Sequence, residues 1–192
     1  MQPSLIYLHG FNSSAASTKA CQLGAYLAAE RPDIQYRVPT LPDTPAAAWH
    51  MIVTLLESLT AAGPCGLIGS SLGGFWATCA AERFKLPAVL VNPAVHPQHL
   101  LQYYLGEQTN PYTGVHYLLE PGHMEELATL DPKVLQAPDK LWLLQQEGDE
   151  VLDYRHAVDY YRASRITLEA GGSHAFNGFE RYCPEIVKFL QL

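Results

Sequence analysis

Ser71 stands within Gly69-Ser70-Ser71-Leu72-Gly73, a G-x-S-x-G arrangement whose serine could act as the nucleophile of acyl transfer. The pattern is short, and its surroundings give it meaning. The apolar run Gly66-Leu67-Ile68 leads into it, and a second apolar run from Phe75 to Ala81 follows it. That order predicts a strand, a sharp turn and a helix, a setting that exposes a serine hydroxyl at the end of a sheet. Glycines are needed two positions before and two after the serine, because strand and helix approach so closely that side chains there would collide. The start of the helix then favours negative charge on a reacting carbonyl. Ser70 has Ile68 where the first of those glycines would have to be. The plain alternative is a serine-glycine turn without chemistry.

A serine hydroxyl needs a positioned base, and in such a site the orienting acid and then the base follow the nucleophile along the chain. His174, in Gly171-Gly172-Ser173-His174, is the histidine expected to serve. His96, His99, His116 and His123 come too early, while His50 and His156 fall inside predicted helices. His9 precedes a glycine at a predicted strand end and is read as holding that loop. The acid is sought in Gln145–Val151, where Glu147, Asp149 and Glu150 are available, with Asp153 just beyond. Asp149 follows Gly148 and is the expected orienting acid. Glu150 and Asp153 are read as solvated or as caps of the next helix.

Two backbone N–H groups should hold the oxyanion. Leu72, after the nucleophile, is one, and Phe11 is the other, with Gly10 allowing an unusual backbone geometry before it. His96 and His99 have a spacing that could grip a metal, but no third ligand stands out. The chemistry calls for no metal and no organic cofactor.

These residues must be carried by alternating strands and helices. Leu5–Leu8, Ile34–Val38, Cys65–Ile68, Ala88–Val91, Leu141–Leu144 and Ile166–Leu168 are short apolar runs that hardly alternate, as strands buried on both faces do. Between them, Ile52, Leu55, Leu56 and Leu59 share one helical face behind Thr44-Pro45, and Gly63-Pro64 ends that helix. Ser17 or Thr18 would open a helix carrying Leu23, Tyr26 and Leu27, and Asp153 one carrying Ala157, Tyr160 and Tyr161. Ile186, Val187 and Leu190 form a last stripe. The expected fold is α/β, with about six parallel strands and helices on both faces. From Pro93 to Pro138 no strand is evident, and a connection that long reads as a short helical cap.

The chain of 192 residues is 48% hydrophobic and 16% charged, with a formal net charge of -7. That composition builds a core and is not that of a disordered segment. It predicts one domain over residues 1–192, with a cap-like insertion at about 94–138. No basic cluster suggests a nucleic-acid partner, no apolar stretch suggests a membrane span, and no signal peptide is evident. Cys21, Cys65, Cys79 and Cys183 show no metal-like spacing, and reduced thiols in a cytoplasmic protein are expected.

Six segments together resemble the YqiA-like bacterial esterase family of the α/β-hydrolases: Tyr7–Ser14, Gly69–Gly74, Val91–Ala94, Asn110–Gly114, Gly148–Tyr154 and Gly171–Phe176. The resemblance runs through almost the whole chain. It implies esterase or thioesterase activity on small acyl substrates, with Ser71 as nucleophile, His174 as base and Asp149 as acid. A full α/β-hydrolase sheet starts with two further strands, so a trimmed sheet is expected here. The aromatic cap residues Tyr103, Tyr104 and Tyr117 are expected to line the acyl-binding wall. The same triad acting on a peptide or C–C bond, and a scaffold that only binds a ligand, remain the alternatives.

Overall fold

A computed structural model describes residues 2–192 of the chain. Six parallel strands form one sheet: β1 (Ser4–Leu8), β2 (Gln35–Arg37), β3 (Cys65–Ser70), β4 (Ala88–Val91), β7 (Leu141–Gln146) and β8 (Arg165–Glu169). Their order across the sheet is β2-β1-β3-β4-β7-β8. All six predicted strands are present, displaced at their ends by a residue or two. The four central strands are buried along their whole length, which is why their sequences run apolar without alternating.

Successive residues of these strands feed two separate cores. Ile6, Leu8, Leu67, Leu90 and Leu143 pack on one face, with helices α2 (Pro45–Ala62) and α3 (Leu72–Phe84). Leu5, Tyr7, Ile68, Val89 and Leu144 pack on the other, with α1 (Thr18–Glu30) and α7 (Cys183–Phe189). Thr44 and Ser17 occupy the expected N-cap positions of α2 and α1, but neither side chain makes a capping hydrogen bond. Asp153 does cap α6 (Tyr154–Tyr160), accepting from the Arg155 N–H. All four cysteines are free thiols.

The segment between β4 and β7 corrects one expectation. It is not purely helical. Beside the short α4 (Gln98–Leu101) and α5 (Pro121–Leu130), it contains an antiparallel hairpin, β5 (Gly106–Thr109) and β6 (His116–Leu119). Asn110 makes the turn: its Oδ1 accepts from the N–H groups of Tyr112 and Thr113, and its carbonyl accepts from Gly114. Gly114 there has φ +72°, a conformation that suits glycine. Pro111 and Gly114 lie in this hairpin's connection. Among the described residues, no helix is long and apolar enough to cross a membrane.

Candidate active site

The register aligns the carboxyl ends of β1, β3, β4, β7 and β8 along one edge of the sheet. Ligands of open α/β sheets bind at that edge. Ser71 follows β3 directly and begins α3, with φ 56° and ψ −124°. Such a backbone costs about 1–3 kcal/mol and persists only when its surroundings over-determine it. Three hydrogen bonds do so: Ser71 N–H donates to the Val91 carbonyl, and the Ser71 carbonyl accepts from the N–H groups of Gly74 and Ala94. A Cβ on Gly69 would lie 2.0 Å from the Gly73 carbonyl oxygen, and one on Gly73 would lie 1.9 Å from that of Leu8. The predicted steric reason for both glycines is therefore met by backbone, which cannot move aside.

His174 Nε2 lies 3.1 Å from Ser71 Oγ, and its Nδ1 lies 2.9 and 2.8 Å from the two carboxylate oxygens of Asp149. The Asp149 side chain is fully covered and that of His174 is 22% exposed. Asp149 Oδ1 also accepts from the N–H groups of Val151 and Leu152. These bonds fix the plane of the carboxylate, and with that acceptor against it Nδ1 carries the imidazole proton and Nε2 is left free to accept. Asp153 instead caps α6. Glu150 Oε2 accepts from the His174 backbone N–H, and that bond lowers its pKa.

Two buried amides that sequence reasoning did not single out set this arrangement. Asn92, at the end of β4, donates to the carbonyls of Ser173 and His174 and accepts from the Gln146 N–H. Gln146, ending β7, accepts from Ser173 and Asn177 N–H at Oε1 and donates to the Asn177 carbonyl. A Cβ on Gly172 would fall 2.1 Å from that Oε1, and its φ is +81°. The loop bearing His174 is thus tied to two neighbouring strands. The one local signal was an asparagine at a strand end, in Asn92-Pro93.

On the opposite side of Ser71 lies the loop after β1. His9 is buried; its Nε2 accepts from the Leu41 N–H and its Nδ1 lies 3.0 Å from the Gly10 carbonyl. Nδ1 is then the protonated nitrogen, and burial lowers the pKa of the ring. Gly10 corrects a second expectation. Its φ is outside the left-handed region, which Asn12 occupies instead at 49°. The absent side chain serves closeness: a Cβ on Gly10 would come within 3.1 Å of Ser71 Cβ. Neither Phe11 nor Leu72 N–H donates a hydrogen bond among the described residues. Both residues line a cavity of about 240 Å³ beside Ser71, along with Leu100, Leu101, Val151 and Leu152.

The cap tyrosines part company. Tyr104 lines that cavity and meets the Phe11 ring edge-on at 6.0 Å. Tyr117 lies away from it and donates to Asn12 Oδ1 at 2.8 Å, bracing the loop of Phe11. Tyr103 is 80% exposed and does not line that cavity. His96 pairs with Asp131 at 2.5 Å, and no group of three His, Cys, Asp or Glu side chains that could hold a metal occurs among the described residues.

The fold matches solved structures across nearly the whole chain. Est1E from Butyrivibrio proteoclasticus, solved with ferulic acid bound, gives a TM-score of 0.76 at 13% identity, covering 98% of this chain and 88% of that one. Mouse α/β hydrolase domain-containing protein 10 gives 0.76 at 16% identity, covering 100% and 90%. The esterase domain of a Rhodothermus marinus protein gives 0.69 at 16%, covering 98% and 85%. At such identities the likeness establishes the fold, a trimmed α/β-hydrolase sheet. The family model of the uncharacterised protein family UPF0227 matches residues 4–191, and the chain belongs to that family, the one also called the YqiA family.

Proposed function

We propose that this chain is a serine hydrolase of small carboxylic esters or thioesters, with Ser71 as nucleophile, His174 as general base and acid, and Asp149 as the orienting carboxylate. One observation carries the reading: His174 bridges Ser71 Oγ and the covered Asp149 carboxylate through its two ring nitrogens. His174 Nε2 takes the Ser71 proton as Oγ attacks the acyl carbonyl. The N–H groups of Leu72 and Phe11 stabilise the oxyanion, and removing one such donor costs about 10²–10³ in rate. His174 then protonates the departing oxygen or sulfur, and water activated by the same ring releases the acyl group from Ser71.

The cavity of about 240 Å³ suits a short acyl chain. Its walls come from the cap through Leu100, Leu101 and Tyr104, and from the acid loop through Val151 and Leu152. Each methylene buried there contributes about 0.8 kcal/mol until the chain outruns the pocket. Est1E and the Rhodothermus esterase share the fold, which supports ester chemistry on this sheet. The test is a series of p-nitrophenyl esters of increasing acyl length, run beside the matching acyl-CoA thioesters. Turnover should peak at short acyl chains and vanish in Ser71→Ala. Equal turnover by Ser71→Ala would refute the assignment.

A further inference from the structure

Ser71 lies between two unlike spaces. One is the largely apolar cavity of about 240 Å³. On the other side is a cleft of about 470 Å³, lined by the loop of His174 from Ala175 to Gly178 and by the first turn of α1. His174 borders both spaces, but the loop that follows it borders only this cleft, and we assign the leaving group, which His174 protonates, to that side; this step rests on the function proposed above. Among the described residues that line this cleft, Lys19 is the only Lys, Arg, Asp or Glu. Its ammonium donates to the Ala175 carbonyl at 2.8 Å and makes no ion pair with a carboxylate among the described residues. Lys19 is half-buried; burial lowers its pKa to about 8, against the opposing pull of the Asp149 carboxylate nearby.

Further features point the same way. Ser17, Thr18 and Lys19 bring the N-terminus of α1 to the cleft, where unpaired backbone N–H groups favour negative charge. Ser17, the N-cap residue, makes no capping bond. The Tyr7 side chain, fully buried, also lines the cleft, with the hydroxyls of Ser17 and Ser70 beside its own. Burial raises its pKa far beyond neutral pH, so it stays a donor. An ammonium and a helix N-terminus thus face one cleft, in a chain whose net charge of -7 gives no general attraction for anions.

We propose that this cleft selects substrates whose leaving group carries an anion, a carboxylate or a phosphate, and that Lys19 is the residue that recognises it. The test uses a matched pair, 4-acetoxybenzoate and its methyl ester, which share the acyl group and the ring and differ in charge. The wild type should favour the carboxylate in kcat/KM, and Lys19→Gln, which keeps an N–H donor, should erase roughly tenfold or more of that preference while sparing the methyl ester. A parallel loss on both substrates would make Lys19 a prop for the His174 loop and overturn the proposal, as would an unchanged ratio. Binding to Ser71→Ala separates this claim from the catalytic one. Tighter binding of the carboxylate there, abolished by adding Lys19→Gln, upholds the cleft even if the wild type hydrolyses neither ester. Equal binding of both esters overturns the cleft and leaves the triad standing.

Discussion

Two loops flank Ser71, and they are fastened in opposite ways. The loop bearing His174 is tied to the sheet by the amides of Asn92 and Gln146, both buried, at distances of 2.9–3.1 Å. The loop bearing Phe11 is tied partly to the cap. Tyr117 bonds Asn12, Gln108 lies 3.4 Å from Asn12, and Asn110 donates to the Ser13 carbonyl. His9 supplies its one buried anchor to the rest of the fold. The His174 loop is therefore held by the sheet, while the Phe11 loop, the proposed oxyanion site, is coupled to a hairpin on the surface. Changes in the cap should reach the chemistry through Phe11 and leave the His174–Asp149 pair undisturbed.

The largest expected effect lies on the sheet side. Asp149→Asn keeps the shape of the acid but presents an amide to Nδ1, so the wrong tautomer faces Ser71 and kcat should fall about 10⁴-fold. Glu150→Gln and Asp153→Asn, measured beside it, should change kcat far less, because neither carboxylate touches the ring. Asn92→Ala comes next. It leaves the Gln146 N–H unpaired in the core and frees the His174 loop, so stability should drop by about 1–3 kcal/mol. A misplaced base should further lower kcat by about 10²-fold with little change in KM. Denaturant unfolding and steady-state kinetics on one preparation separate the two losses.

His9→Ala tests the anchor of the other loop. It orphans the Leu41 N–H, for a loss of about 1–3 kcal/mol near neutral pH. Burial keeps the folded pKa of His9 below its ordinary 6.5, so the unfolded chain takes up that proton first. The stabilisation is complete above about pH 6.5 and is lost as the pH falls from there toward the folded pKa. Urea midpoints should accordingly show a smaller penalty for His9→Ala at about pH 5.5 than at about pH 8. The smallest effect is Tyr117→Phe, which removes one partly buried hydrogen bond worth about 1 kcal/mol. It should lower kcat a few-fold and leave the dependence on the 149 acid intact. If Tyr117→Phe matched Asn92→Ala in kcat, the contrast between the loops would be wrong.

The sheet and its catalytic edge were legible because buried parallel strands write continuous apolar runs, and because Gly69 and Gly73 answer a local steric demand. Ser71, Asp149 and His174 each follow a strand end, so their places could be counted off. The hairpin of the cap was not legible. Gly106-Glu107-Gln108-Thr109 offers no apolar alternation, since the strand covers a loop and not a core. Tyr117 could be read as a binding aromatic, but its hydroxyl bond to Asn12 spans 105 positions and leaves no local pattern. Asn92 and Gln146 share that property: their partners are backbone groups on distant loops, which no spacing rule reveals. Gly10 shows the reverse. A glycine at a strand end suggests special backbone angles, yet what it supplies here is room for Ser71.

The central claim is that one serine, activated by His174 and Asp149, does the chemistry. A fluorophosphonate probe followed by peptide mass spectrometry tests it most directly, since the reagent modifies a serine only where a base activates it. The wild type should carry a single adduct on Ser71, with labelling abolished in Ser71→Ala and slowed by orders of magnitude in Asp149→Asn. An unlabelled wild type, or an adduct on Ser70 in place of Ser71, would contradict the account.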